Sequence, residues 1–199
     1  MFIEPKISKE KQDSEYKSGW IEVIYGSMFS GKTEELIRRL NRALIAGLKV
    51  EIFKPAIEDR YSKSEVVSHD QNSIRSTPVQ FANDLLLLSE SSDVVGIDEA
   101  QFFDQSLVDV VRTIANRGQR VIVAGLDMDF KGEPFEPMPS MAAVAEYVTK
   151  VRAICMKCGE VATFSFRKNS MNKKVVLGEL DHYESRCRKC FYEDLNKEK

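Results

Sequence analysis

The chain has no stretch that would enter a membrane and no charge excess that would hold a polyanion. No run of 18 apolar residues occurs, so no segment spans a bilayer as a helix. Met1 to Ser18 are charged and lack the apolar centre of a secretory signal. We read them as a mobile polar tail and expect a cytoplasmic protein. The formal net charge is only -2, which gives no broad basic field for a nucleic acid. Internal repeats and low-complexity tracts are absent. Cysteine is scarce, with four residues in two close pairs. Without a signal peptide, that usage points to a reducing compartment and to metal before disulfides.

What is present is enough for a core. The 199 residues are 43% hydrophobic, which fits one domain of about 150 residues with an appendage, or two small domains. The stretch Gly26-Ser27-Met28-Phe29-Ser30-Gly31-Lys32-Thr33 fits G-x-x-x-x-G-K-[ST] at every fixed position. Before it, Trp20 to Tyr25 is rich in β-branched and aromatic residues that suit a buried strand. After it, Leu36, Ile37, Leu40, Ala43 and Leu44 follow the period of one helix face. A strand, a glycine turn and a helix in that order aim backbone N–H groups and a positive helix end at a phosphate chain. In such a loop Lys32 reaches the β and γ phosphates and the Thr33 hydroxyl ligates Mg²⁺.

Further along, Lys49 to Lys54 reads as a second strand stopped by Pro55, and Ala56 to Pro78 as a long polar loop. Within that loop Arg60 is a candidate to neutralise phosphate charge, and His69 a candidate local orienter; a solvated loop is the competing reading. Phe81 to Ser89 is a short helical candidate. Asp93 to Ile97 then reads as an apolar strand ending in Asp98-Glu99, as a P-loop enzyme requires to hold Mg²⁺ from the opposite side. Asp98 is the metal-side carboxylate. Adjacent residues leaving a strand point in different directions, so Glu99 faces the acceptor, where it takes a proton from a hydroxyl or polarises water. The pair alone does not choose between a kinase and an ATPase. Gln105 to Asn116 shows one apolar helical face, and Arg120 to Gly125 is the next buried strand. Phe130, beyond it, is the best candidate to stack on a flat ring, with core filling as the alternative. The alternation predicts a mainly parallel α/β sheet flanked by helices.

The last quarter differs. Cys155-Met156-Lys157-Cys158 and Cys187-Arg188-Lys189-Cys190 are two C-x-x-C knuckles suited to a closed Cys₄ zinc site. The insert between them exceeds the roughly 15–20 residues of the commonest pattern, leaving room for two strands and a loop. Four thiolates leave no open coordination position, so the zinc is structural. His182 is solvated on this reading. The expected organisation is a tail at 1–18, a P-loop domain at 19–150 and a zinc-ribbon domain at 151–199.

Taken together, these residues resemble the thymidine kinases of the cytosolic, zinc-containing type from about Ile21 to Tyr192. Gly26 to Thr33 is similar to that family's G-P-M-F-S-G-K-[ST] loop, with Ser27 in place of Pro. Asp59-Arg60-Tyr61-Ser62, His69-Asp70, Ile97 to Phe103, Ala124 to Asp127 and both knuckles also match. The resemblance implies transfer of the ATP γ-phosphoryl to the 5′-hydroxyl of thymidine or deoxyuridine, with Glu99 as general base and Arg60 near the phosphates. It groups Gly26 to Thr33, Asp59, Arg60, Asp98 and Gln101 on the ATP side. It implies a base held by the main chain of a lasso loop, Lys174, Val175, Val176, Leu177 and Gly178. The pocket is lined by Met28, Phe102, Leu126, Phe130, Ser165 and Tyr183. Glu179 stands where the family often has a second Gly, and Ser165 where it more often has Thr. A homotetramer and feedback inhibition by thymidine triphosphate also come from the resemblance. The competing class is a P-loop ATPase whose ribbon binds nucleic acid or a protein, which Arg186, Arg188 and Lys189 would allow.

Overall fold

A computed structural model describes residues 19–56, 65–67, 73–168 and 182–196. Met1 to Ser18, Asp59, Arg60, His69, the expected lasso Lys174 to Gly178, and Glu179 lie outside the described residues. The elements in chain order are β1 Trp20–Tyr25, α1 Lys32–Ile45, β2 Val50–Pro55, β3 Glu65–Val67, β4 Ser73–Arg75 and β5 Thr77–Val79. There follow α2 Leu85–Leu88, β6 Val94–Ile97, α3 Ser106–Asn116, β7 Arg120–Gly125, α4 Met138–Val144 and β8 Tyr147–Lys150. The chain closes with β9 Ala153–Ile154, β10 Val161–Ala162, β11 Phe164–Arg167, β12 Tyr183–Arg186 and a last helix, α5, Arg188–Leu195.

Six strands form one sheet in the order β5-β2-β6-β7-β1-β8. Every pairing in it is parallel. Alternation along the strands explains the layers. Ile21, Val23, Val95, Ile97, Val121 and Val123 pack on one side with α3 and α4. Ile24, Val94, Ile122 and Ala124 pack on the other with Leu36, Ile37, Leu40 and Ala43 of α1. Each fully buried aliphatic of this kind contributes about 1.5–3 kcal/mol. Leu44, expected on the buried helix face, is 44% exposed.

The structure departs from the sequence reading in three regions. The expected loop up to Pro78 contains edge strand β5 and the antiparallel pair β3 and β4. Pro78 sits where a strand edge tolerates a missing N–H. Met138–Val144, beyond the elements the sequence predicts, is a helix, α4, and Tyr147–Lys150 is the other edge strand. Pro55 ends β2 as its last residue rather than standing outside it.

The strand order brings the chemistry together. All C-terminal strand ends share one edge, and β7 alone separates β1 from β6. Tyr25 is level with Gly125, and Ile97 with Val123. The segment after β1 therefore faces the segment after β6 across the end of β7. The C-terminal ribbon packs against the same edge through Phe164, Phe166 and Phe191, with Met128 from the chain after β7.

Candidate active site and thiol cluster

The phosphate loop owes its shape to two glycines. Gly31 has φ +82, a left-handed conformation that admits glycine readily. It caps α1 with no side-chain hydrogen bond, leaving the first N–H groups of the helix for an anion. At Gly26 a Cβ would lie 2.3 Å from the carbonyl oxygen of Val151, so only glycine fits. Phe29 also has positive φ, and its ring packs against the cluster containing Cys155, Cys187 and Cys190. The Lys32 ammonium donates to the Ser27 carbonyl at 2.9 Å, and the Ser30 hydroxyl donates to the same oxygen at 2.7 Å. Burial lowers the pKa of Lys32, while Glu99, Asp98 and Asp127 oppose the change.

Opposite the loop, the Thr33 hydroxyl donates to Asp98 Oδ2 at 3.1 Å. These are two adjacent hard oxygen donors of the kind Mg²⁺ selects. Burial, reinforced by the neighbouring Glu99 charge, pushes Asp98 up to about 7. Asp98 Oδ1 accepts the backbone N–H of Glu99 at 3.0 Å. Glu99 is itself left-handed, with φ 52, a conformation that disfavours an L side chain by roughly 1–2 kcal/mol. Its Oε2 accepts from Gln101 Nε2 at 2.5 Å, and Gln101 Oε1 accepts the Leu126 N–H at 2.9 Å. Gln101 thus lies between Glu99 and the wall after β7.

The residues assigned to the pocket wall form connected groups. The Met28 N–H donates to Ser165 Oγ at 3.0 Å, tying the phosphate loop to β11. Phe102 packs edge-on to Phe135 at 6.2 Å. Tyr183 is buried opposite Arg167 in the β11–β12 pair. Arg167, which the sequence reading missed, places its guanidinium 3.6 Å above the Phe130 ring. It also donates to the Tyr183 hydroxyl from Nη2 at 2.9 Å and from Nε at 3.2 Å. Its one local trace in the sequence is its spacing, two residues after Ser165 on the same strand face, which does not point to Phe130 or Tyr183.

The four cysteines converge. Their sulfurs all lie within 4.8 Å of one another, and Cys158 Sγ is 3.6 Å from Cys187 Sγ. A tetrahedral Zn–S₄ centre with bonds of about 2.3 Å has sulfur–sulfur edges of about 3.8 Å, so the set fits zinc. Burial opposes ionisation of Cys155, yet hydrogen bonds from the backbone at Cys187, Lys157 and Cys158 outweigh it and bring the thiol to about 6. Burial and the surrounding thiols push Cys190 up to about 12. Crowding thus lets Cys155 ionise while holding Cys190 protonated, and a bound cation would relieve that opposition and draw the remaining thiols to thiolates.

Comparison with known proteins agrees with this geometry. A family model described as thymidine kinase matches residues 19–191. A thymidine kinase of Rhodothermus sp. is 64% identical over 87% of this chain and 81% of its own length. Those of Bacteroides fragilis (strain YCH46) and Bacteroides thetaiotaomicron are 58% and 61% identical, covering 92% and 88% of both chains respectively.

Proposed function

This chain belongs to the thymidine kinase family, and we propose that it moves the γ-phosphoryl group of ATP to the 5′-hydroxyl of thymidine with Glu99 as general base. It is an enzyme, a thymidine kinase, and its substrates are ATP and thymidine. The observation that carries the residue assignment is the Thr33–Asp98 contact at 3.1 Å, which joins the phosphate loop and the Asp98-Glu99 pair in one site.

Phosphoryl transfer is mainly positioning and charge neutralisation. Lys32 and the N–H groups of Gly26 to Thr33 hold the phosphate oxygens. Thr33 and Asp98 would hold Mg²⁺, which when bound neutralises the charge gathering on the transferred group. As the bond from the sugar oxygen to phosphorus forms and the bond to the leaving ADP breaks, Glu99 takes the hydroxyl proton. Arg60 and Asp59 add contacts on the ATP side. The base lies among Met28, Phe102, Leu126, Phe130, Ser165 and Tyr183, under the main chain of Lys174 to Gly178. Deoxyuridine, which lacks only the 5-methyl facing Met28, is a second acceptor. The zinc at Cys155, Cys158, Cys187 and Cys190 is structural. A cytoplasmic homotetramer restrained by thymidine triphosphate completes the reading, by likeness to the family. No helix among the described residues is long and apolar enough to cross a membrane.

The test is Glu99→Gln. Turnover is expected to fall by roughly 10²- to 10⁴-fold, the range for a general base, with thymidine affinity by calorimetry changed little. Retained turnover would remove Glu99 from the role.

A further inference from the structure

We propose that Gln101 is a positioning residue that aims the Glu99 carboxylate, and that its contribution to the reaction comes through that carboxylate and not through ATP. The inference rests on the reading of Glu99 as the base. Gln101 is 2% exposed, and both ends of its amide are in use. Its Oε1 accepts from the Leu126 backbone N–H at 2.9 Å, and its Nε2 donates to Glu99 Oε2 at 2.5 Å. A backbone N–H only donates, and a carboxylate only accepts. The reversed amide would set N–H against N–H and oxygen against oxygen, so the partners fix its orientation. One Glu99 oxygen is thereby occupied, and Oε1 is left to accept a proton.

Two further features show that this position is built. Glu99 carries φ 52, and its N–H is held by Asp98 Oδ1 at 3.0 Å. The acid therefore sits on a backbone that would relax elsewhere unless restrained, and the Gln101 amide restrains the side chain. Space for that amide is reserved by Gly125. A Cβ there would lie 2.8 Å from Gln101 Oε1 and 2.7 Å from Met138 Sδ, so any larger residue displaces the amide. Gly125 ends β7, the strand between the phosphate loop and the acidic turn. Gln101 thus locks the base to the one strand end that both halves of the site share.

The experiment is steady-state kinetics on the full chain carrying Gln101→Met, which keeps the length and removes the amide. We expect kcat to fall roughly 10- to 100-fold, the scale of a misplaced catalytic group, with KM for ATP and thymidine within about threefold. Added to Glu99→Gln, Gln101→Met should cost nothing further, because its effect passes through the same carboxylate. Gly125→Ala keeps the amide but displaces it, and should lower kcat in the same way. That variant gives the readout should Gln101→Met fail to fold. A raised KM for ATP at unchanged kcat, or a double variant whose loss multiplies the two single losses, would overturn the proposal. Full turnover in Glu99→Gln would defeat the reading of the base itself. A dead Glu99→Gln beside a fully active Gln101→Met would defeat only the aiming role.

Discussion

Single side chains decide how firmly the pocket is built, and Arg167 is the clearest example. Its guanidinium covers one face of Phe130 and holds the Tyr183 hydroxyl with two donors, so a nucleobase bound as proposed would meet a ring supported from behind. Replacing it with Leu removes charge-assisted hydrogen bonds and a stacked cation together worth about 2 kcal/mol or more. We expect thymidine KM to rise roughly thirtyfold with kcat little changed, and Arg167→Lys, which keeps charge but not the planar fork, to recover part of the loss. Unchanged KM in Arg167→Leu would remove it from the pocket. Of the site residues, those in Gly26 to Thr33, Asp98-Glu99 and the cysteines were legible because each carries its chemistry in a short local pattern. Arg167 was not, because its partners Phe130 and Tyr183 come from separate segments that only the tertiary fold brings together.

At the scale of elements, the ribbon and the phosphate loop act on each other. Met28 donates to Ser165 of β11, and the Phe29 ring packs on the cluster of Cys155, Cys187 and Cys190. Zinc removal should therefore weaken nucleotide as well as thymidine binding. Calorimetry with ADP and with thymidine, on zinc-depleted protein shown to be folded by circular dichroism, should give both affinities reduced. Two unchanged affinities would separate the thiol cluster from the site. Legibility at this scale followed burial. β1, β6 and β7 are covered on both faces and read as apolar runs, while α1 and α3 show a single apolar face. Edge strand β8 exposes Tyr147 and Val148, β5 contains Pro78, and α4 is short and holds Pro139, so none had the periodicity that identifies an element.

Over the whole molecule, the sheet carries a buried charge network apart from the phosphate loop. Glu22, fully buried, accepts from Arg39 at 2.8 Å and from Arg120 at 2.6 Å, linking β1, α1 and β7, and Arg39 extends the network to Thr149 of β8 at 2.9 Å. Glu22→Gln takes from buried Arg120 its carboxylate partner and leaves Arg39 with Glu35 at 2.8 Å, a loss of about 3–5 kcal/mol. We expect Tm to fall by roughly 10 °C with thymidine affinity of the folded protein unchanged. A Tm within about two degrees of the parent would contradict this account of the network. No local pattern marked these partners, since Glu22 and Arg39 read as ordinary polar positions until α1 is laid on the sheet. The phosphate chemistry, in contrast, was legible from motif order, because a strand, a phosphate loop, a helix and a distant acid-tipped strand permit few arrangements, while the choice of a nucleoside acceptor came from the resemblance to the family. The assignment as a whole is tested most directly by following labelled γ-phosphate from Mg-ATP onto thymidine, deoxyuridine, deoxycytidine and deoxyadenosine, with water and single-stranded DNA as controls. Strong labelling of thymidine and deoxyuridine alone is the expected result. Phosphate released to water without nucleoside labelling, above all if DNA stimulates the release, would contradict it.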